Sequence, residues 1–150
     1  NPLFILITRN PYAMCYRAAT KTNLSKLNFS YVEKLRIASQ HWANSFQIAL
    51  EDGEKQGNML TLRFEDFLQH PERILQQICD FVDLEYNLTM LPQPDDNFPL
   101  GGIHDSKWYP LRPDVNKSYL EKIGEKEISI INERCKELAE KFNYSPKQTK

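Results

Sequence analysis

The sequence is poor in the residues that would advertise a nucleotide loop, a metal site or a membrane span. Five glycines in 150 residues, at positions 53, 57, 101, 102 and 124, fit no glycine-rich phosphate loop. Three cysteines, Cys15, Cys79 and Cys135, lie far apart, with no CxxC pair and no Cys/His ligand spacing. Each falls in a helical pattern beside apolar residues, where a small buried thiol is expected. There is no excess of either charge: 19 Lys and Arg stand against 20 Asp and Glu, a formal net charge of -1. Nucleic acid is therefore not the expected partner, because that function needs a strongly basic face. The longest unbroken apolar run, Leu3 to Ile7, is far too short to cross a bilayer, so no membrane partner is expected. No secretory signal and no initiator Met open the chain, and the expectation is a processed or trimmed part of something longer.

What is present is an ordinary globular composition, 41% hydrophobic and 26% charged, in a length that suits one domain over residues 1–150. Five N-x-S/T sequons, at Asn23, Asn28, Asn87, Asn116 and Asn143, would matter in a secretory compartment. In a chain rich in Asn, Lys and Ile such matches arise easily. A cytoplasmic location is expected, with the Golgi lumen as the alternative.

The run Leu3 to Thr8 is apolar and partly β-branched, the pattern of a strand covered on both faces. Arg9-Asn10-Pro11 ends it. Asn10 is a good N-cap and Pro11 suits the first helical position, so a helix is expected from there to about Leu27. A second helix is expected from Tyr31 to about Leu50, its apolar face formed by Val32, Leu35, Ala38, Trp42, Phe46 and Ala49. Glu51 to Gly57 reads as a polar turn, and Asn58 to Phe64 as a second strand. Pro71 begins a helix carrying Ile74, Leu75, Ile78, Phe81 and Val82. From Asn87 to Arg112 the pattern is irregular, in a Pro/Gly-rich loop of a length that is usually functional or disordered. Pro113-Asp114 opens a short helix through Ile123. Glu125 to Phe142 reads as a long amphipathic helix with Ile128, Ile131, Cys135, Leu138 and Phe142 inward.

This order predicts an α/β domain with parallel strands flanked by helices. Two doubly buried strands do not make a stable sheet alone, so further strands, upstream or from a second chain, are expected to complete it.

The junction of strand, Arg9-Asn10-Pro11 and helix is where the chemistry concentrates. A helix N-terminus offers unpaired N–H groups and a positive dipole end, both suited to a phosphate. An Arg at the strand's carboxyl end adds a planar fork for bidentate contact. The plainer reading is that Arg9 pairs with a nearby carboxylate. His41, beside Trp42, reads as an exposed or satisfied histidine rather than a base. Glu65-Asp66 reads as a helix-capping pair rather than a metal site.

Phe4-Ile-Leu-Ile-Thr-Arg9-Asn-Pro-Tyr-Ala-Met14 resembles the 3′-phosphate-binding segment of sulfotransferases that use 3′-phosphoadenosine-5′-phosphosulfate (PAPS). Leu62-Arg-Phe64-Glu65-Asp66-Phe67-Leu68 followed by Pro71-Glu72 resembles the family's Leu-x-Tyr-Glu-Asp-Leu and Pro-Glu segment. The Ile74–Leu84 helix, then Trp108 to Tyr144 with its Phe142-Asn143-Tyr144 ending, follow in the family's order. The resemblance implies a P-loop-like parallel sheet and transfer of a sulfuryl group from PAPS to an acceptor hydroxyl or amine. It implies that Arg9 holds the cofactor's 3′-phosphate. Arg17 stands where the family usually has a Ser on the same phosphate, and it either reaches back across two turns or points to solvent. Phe64 stands where many members place a Tyr against the adenine, and a purely packed Phe is the alternative. Lys107 and Arg112 flank Trp108 where the family's cationic loop closes over the cofactor; solvated charges are the alternative.

Neither the family's 5′-phosphosulfate loop nor its proton-accepting His or Glu has a match here, since both precede the Arg-Asn-Pro segment. The resemblance thus implies the C-terminal portion of a sulfotransferase domain, inactive alone, with no catalytic residue and no metal of its own. Two rivals stay open: another P-loop nucleotide enzyme such as a small-molecule kinase, and a non-catalytic interaction module.

Overall fold

The computed structural model describes residues 2–93 and 111–146. Two compact units divide the chain, Asn1–Arg63 with Asp114–Lys150, and Phe64–Pro113. The architecture is mixed α/β and mostly helical, with a small parallel sheet.

In the first unit, β1 (Phe4–Thr8) leads into α1 (Pro11–Lys21). Asn10 caps this helix as its sequence predicts, its side chain accepting from the Ala13 N–H at 3.2 Å. The helix stops six residues short of the expected Leu27. Thr22 is extended there; its hydroxyl donates to the Ala18 carbonyl at 2.8 Å and accepts from the Leu24 N–H at 3.3 Å. Those bonds divert the backbone into a 3-10 turn, Asn23–Lys26.

The next helix, α2 (Tyr31–Gln56), opens with a reciprocal capping box. Ser30 Oγ accepts from the Glu33 N–H, and Glu33 Oε2 accepts from the Ser30 N–H. It continues through the segment expected to be a turn. Glu51, Glu54 and Lys55 are competent helix formers, and Lys55 and Asp52 pair at 3.6 Å. Gly53 is buried because the Met59 side chain lies against it, where a Cβ would collide. Gly57, at φ 70°, supplies the left-handed stop.

β2 (Met59–Arg63) pairs parallel with β1, in a register running from Phe4 opposite Met59 to Thr8 opposite Arg63. Thr8 is fully buried, and Leu6 packs on the core. Among the described residues the expected double coverage of β1 is not seen: Ile5 is 40% and Ile7 54% exposed, and Leu3 and Phe4 are exposed as well. The apolar face that carries Ile5 and Ile7 stays open.

The unit closes with α5 (Lys117–Leu120) and α6 (Glu125–Lys141). Pro113 to Asn116 forms a turn rather than the start of α5. The core lies among α1, α2 and α6, with Leu35, Ile131, Cys15 and Cys135 essentially inaccessible. Trp42, Phe46 and Phe142 form an aromatic cluster with ring centroids 4.7, 6.2 and 5.7 Å apart.

The second unit contains α3 (Phe64–Gln69) and α4 (Pro71–Val82), followed by a 3-10 turn, Leu88–Met90. Phe64, expected as the last strand residue, instead opens α3. Glu65 and Asp66 then occupy the first helical turn, where carboxylates complement the dipole. The helix α4 ends at Asp83 in a left-handed conformation.

Candidate functional site

The carboxyl end of β1 and the start of α1 make the candidate anion site. Asn10 and Pro11 are buried, so the strand-to-helix turn is fixed by packing as well as by the cap. Asn10 engages the first turn twice, its side chain taking the Ala13 N–H and its carbonyl the Met14 N–H at 3.0 Å. Pro11 has no N–H. Of the first turn, the Tyr12 amide is the one these bonds leave over. A bound anion would therefore depend more on the Arg9 guanidinium than on helix amides.

Arg9 is half-buried and held at both ends. Its carbonyl oxygen accepts from Trp42 Nε1 at 3.0 Å, and its Nη2 donates to Asn116 Oδ1 at 3.4 Å. Asn116 is buried and neutral, so it orients the guanidinium without cancelling its charge.

Beneath Arg9, a second network ties the strand ends together. Thr8 Oγ1 donates to the Leu62 carbonyl at 3.2 Å. Its only hydrogen is spent there, so the Tyr144 hydroxyl, 3.1 Å away, donates to Thr8. The Arg63 guanidinium carbon sits 4.6 Å from the centre of the Tyr144 ring. The segment after α6 thus buttresses both strands just below the anion site.

The other sequence-derived candidates are on other elements. Arg17 is exposed on α1, about 9 Å along the helix axis from Pro11 at 1.5 Å per residue. Phe64, half-buried, and Arg112, exposed, belong to the second unit. Lys107 and Trp108 lie outside the described residues. His41 is exposed. Among the described residues no cluster of His, Cys, Asp and Glu could hold a metal ion, and no helix is long and apolar enough to cross a membrane.

Residue-by-residue reading missed Trp42, Asn116 and Tyr144 as supports of this site. The Trp42 indole offered a signal, since a buried Trp N–H needs an acceptor. Asn116 offered none, because its partner lies more than a hundred residues away.

The sequence model described as the Sulfotransferase family matches residues 1–87, which includes β1, the Arg9-Asn10-Pro11 junction and both strands. The chain belongs to the sulfotransferase family. The fold agrees. A sulfotransferase domain from the curacin biosynthetic pathway superposes with a TM-score of 0.63 at 22% identity, over 95% of this chain and 54% of that one. The sulfotransferase domain of the Synechococcus PCC 7002 olefin synthase gives 0.66 at 19% identity, over 95% of this chain and 50% of that one. This sulfotransferase chain therefore spans about half the length of the solved domains it matches. No curated protein matches its sequence.

Proposed function

We propose that the protein containing this chain transfers a sulfuryl group from PAPS to an acceptor hydroxyl or amine, and that the chain carries the 3′-phosphate-binding half of a P-loop-like domain. The observation that carries this reading is a half-buried, backbone-anchored Arg9 at the end of β1, beside a capped helix start, in a member of the sulfotransferase family. PAPS supplies the activated sulfuryl group. The residues present suit its 3′-phosphate: a cation oriented by a neutral amide, with the positive end of α1 next to it.

Arg17, Phe64, Lys107 and Arg112 are proposed as further cofactor contacts, on the family resemblance. The clamp on the transferred group and the proton acceptor are assigned to sequence outside this chain. In-line transfer depends on positioning and charge stabilisation, by analogy with phosphoryl transfer, so this chain alone is proposed to be inactive. The exposed apolar side of β1 supports the same division, because Ile5 and Ile7 need a further layer to cover them, from the remainder of a longer polypeptide or from a partner chain. A cytoplasmic location completes the proposal.

The deciding experiment is calorimetric titration of the full-length protein with adenosine 3′,5′-bisphosphate. A charge-assisted hydrogen bond contributes about 1.5–3 kcal/mol, so Arg9→Ala should weaken binding at least about tenfold. Binding of adenosine 5′-phosphate should change much less. An unchanged dissociation constant for the bisphosphate would remove Arg9 from the site.

A further inference from the structure

Asn116 is buried and stands directly before α5, yet its side chain makes no capping bond to that helix. Asn is among the strongest N-capping residues, because its side-chain oxygen ordinarily accepts from an amide two or three residues on. Here Oδ1 accepts instead from Arg9 Nη2 at 3.4 Å, across 107 residues of sequence. The first turn of α5 is held by the Asn116 backbone carbonyl, which accepts from the Tyr119 and Leu120 N–H groups, both at 3.0 Å. A buried residue at a capping position has given its side-chain oxygen to the cation of the anion site, and departures of this kind from local rules cluster at functional sites.

The surroundings hold that oxygen in place. Tyr119 of α5 lies against Tyr16 of α1, ring centroids 6.5 Å apart, and Lys21 Nζ sits 5.1 Å from the centre of the Tyr119 ring. Leu120 packs on the core. The short helix is thereby seated on α1, whose first turn follows Arg9 in the chain. Ordering a long side chain costs conformational entropy, and an acceptor fixed beforehand removes part of that cost from the binding step.

We propose that Asn116 is a positioning residue of the anion site: it holds the Arg9 guanidinium in its binding orientation, and as a neutral amide it does so without adding a negative charge beside it. The inference rests on the reading of Arg9 as the 3′-phosphate anchor. Neutrality is the specific requirement. A carboxylate of the same shape would make a stronger, charge-assisted bond to Arg9, but would offset the charge that a phosphate needs. The better partner for Arg9 is therefore the worse residue for the ligand. Asn116 acts through Arg9, so its removal matters to the ligand only while Arg9 is present.

The test is calorimetric titration of the full-length protein with adenosine 3′,5′-bisphosphate and with adenosine 5′-phosphate. The variants are Arg9→Ala, Asn116→Ala, Asn116→Asp, and Arg9→Ala combined with Asn116→Ala. If Arg9→Ala binds the bisphosphate like the parent, the anchor reading and this proposal fall together. If Arg9→Ala weakens it, the anchor reading stands and the Asn116 variants decide the rest. Asn116→Ala should weaken bisphosphate binding about threefold to tenfold, the worth of one hydrogen bond. Adenosine 5′-phosphate should bind nearly as in the parent, whereas a general loosening of the fold would weaken both ligands together. Asn116→Asp should weaken the bisphosphate more than Asn116→Ala does, while unfolding in urea at a midpoint no lower. In the Arg9→Ala background, Asn116→Ala should cause no further loss. The proposal is overturned if Asn116→Asp binds the bisphosphate as tightly as Asn116→Ala, or if Asn116→Ala costs as much without Arg9 as with it. Should Asn116→Ala fold poorly, Asn116→Asp keeps the side chain's shape, and its bisphosphate affinity against the parent's decides: equal affinity overturns the proposal.

Discussion

The Trp42 indole N–H donates to the Arg9 carbonyl oxygen across 3.0 Å, so the cation at the end of β1 is anchored through its own backbone from the middle of α2. The ring that supplies the N–H also packs on Phe46 and Phe142. Core packing and the position of the charge are therefore one arrangement. Trp42→Phe keeps an aromatic ring in the cluster but leaves the carbonyl without that donor. Such a loss costs about 1–3 kcal/mol, to be read as a lower urea midpoint. Adenosine 3′,5′-bisphosphate binding should weaken too, by less than in Arg9→Ala. Phe46→Leu is the control for packing: it keeps the indole N–H bond, so it should lower stability while weakening binding less than Trp42→Phe does. Equal binding by Trp42→Phe and the parent would show that the anchor does not matter to the ligand.

Thr8 and Tyr144 predict an asymmetric pair of variants. Tyr144→Phe removes one donor, yet Thr8 still donates to the Leu62 carbonyl, so the cost should be about 1 kcal/mol. Thr8→Val removes both the bond to the Leu62 carbonyl and the acceptor for the Tyr144 hydroxyl, and should cost more, about 1–3 kcal/mol. The double variant should cost less than the sum, since both changes remove the same bond. Strict additivity in denaturant unfolding would mean the bond contributes nothing.

Arg17 offers a test of charge reach. It is exposed on α1, so its influence on an anion near Arg9 acts through solvent and falls with salt. Arg17→Ser should leave bisphosphate binding near normal. Arg17→Glu should weaken it roughly threefold to tenfold at low ionic strength, and the difference should fade as salt rises. Arg17→Glu binding as tightly as the parent at low salt would place this side chain among ordinary solvated charges.

The features legible in the sequence were those set by neighbours along the chain. The Asn10 cap, Pro11 at the first helical position, the apolar face of α2 and the inward positions of α6 all follow from local spacing. So does the parallel pairing, once strands alternate with helices. Element ends depended instead on which side chains bond or pack at the boundary. The α1 helix stops at Thr22 through two side-chain bonds, and α2 runs on through Gly53 because Met59 packs there. At the site, Arg9 was visible because strand, Arg, cap and proline are consecutive. Its supports were not, because Trp42, Asn116 and Tyr144 come from three distant segments, and only the fold brings them to one sheet edge.

Tyr31 gives the chain a specific alkaline weakness. It is the first residue of α2, directly after the Ser30 cap. Its phenol is pushed up to about 12, first by burial, then by the Glu127 carboxylate at the start of α6, which repels the phenolate and takes a hydrogen bond from the phenol. Glu127 also caps α6, accepting from the Gly124 N–H at 3.0 Å. The folded state therefore holds the Tyr31 proton more tightly than the unfolded chain, whose tyrosine titrates near 10. The stabilisation is fully present below about pH 10 and is lost as pH rises through 10 toward 12. Other groups titrate there as well, so the comparison must be differential. Tyr31→Phe should show a shallower loss of unfolding free energy across this window than the parent does. Glu127→Gln keeps a capping side chain but removes the negative charge, so the Tyr31 transition should move back toward pH 10, followed by ultraviolet absorbance of the phenolate. Parallel stability profiles for Tyr31→Phe and the parent would mean that the contact between the starts of α2 and α6 carries no proton-linked energy.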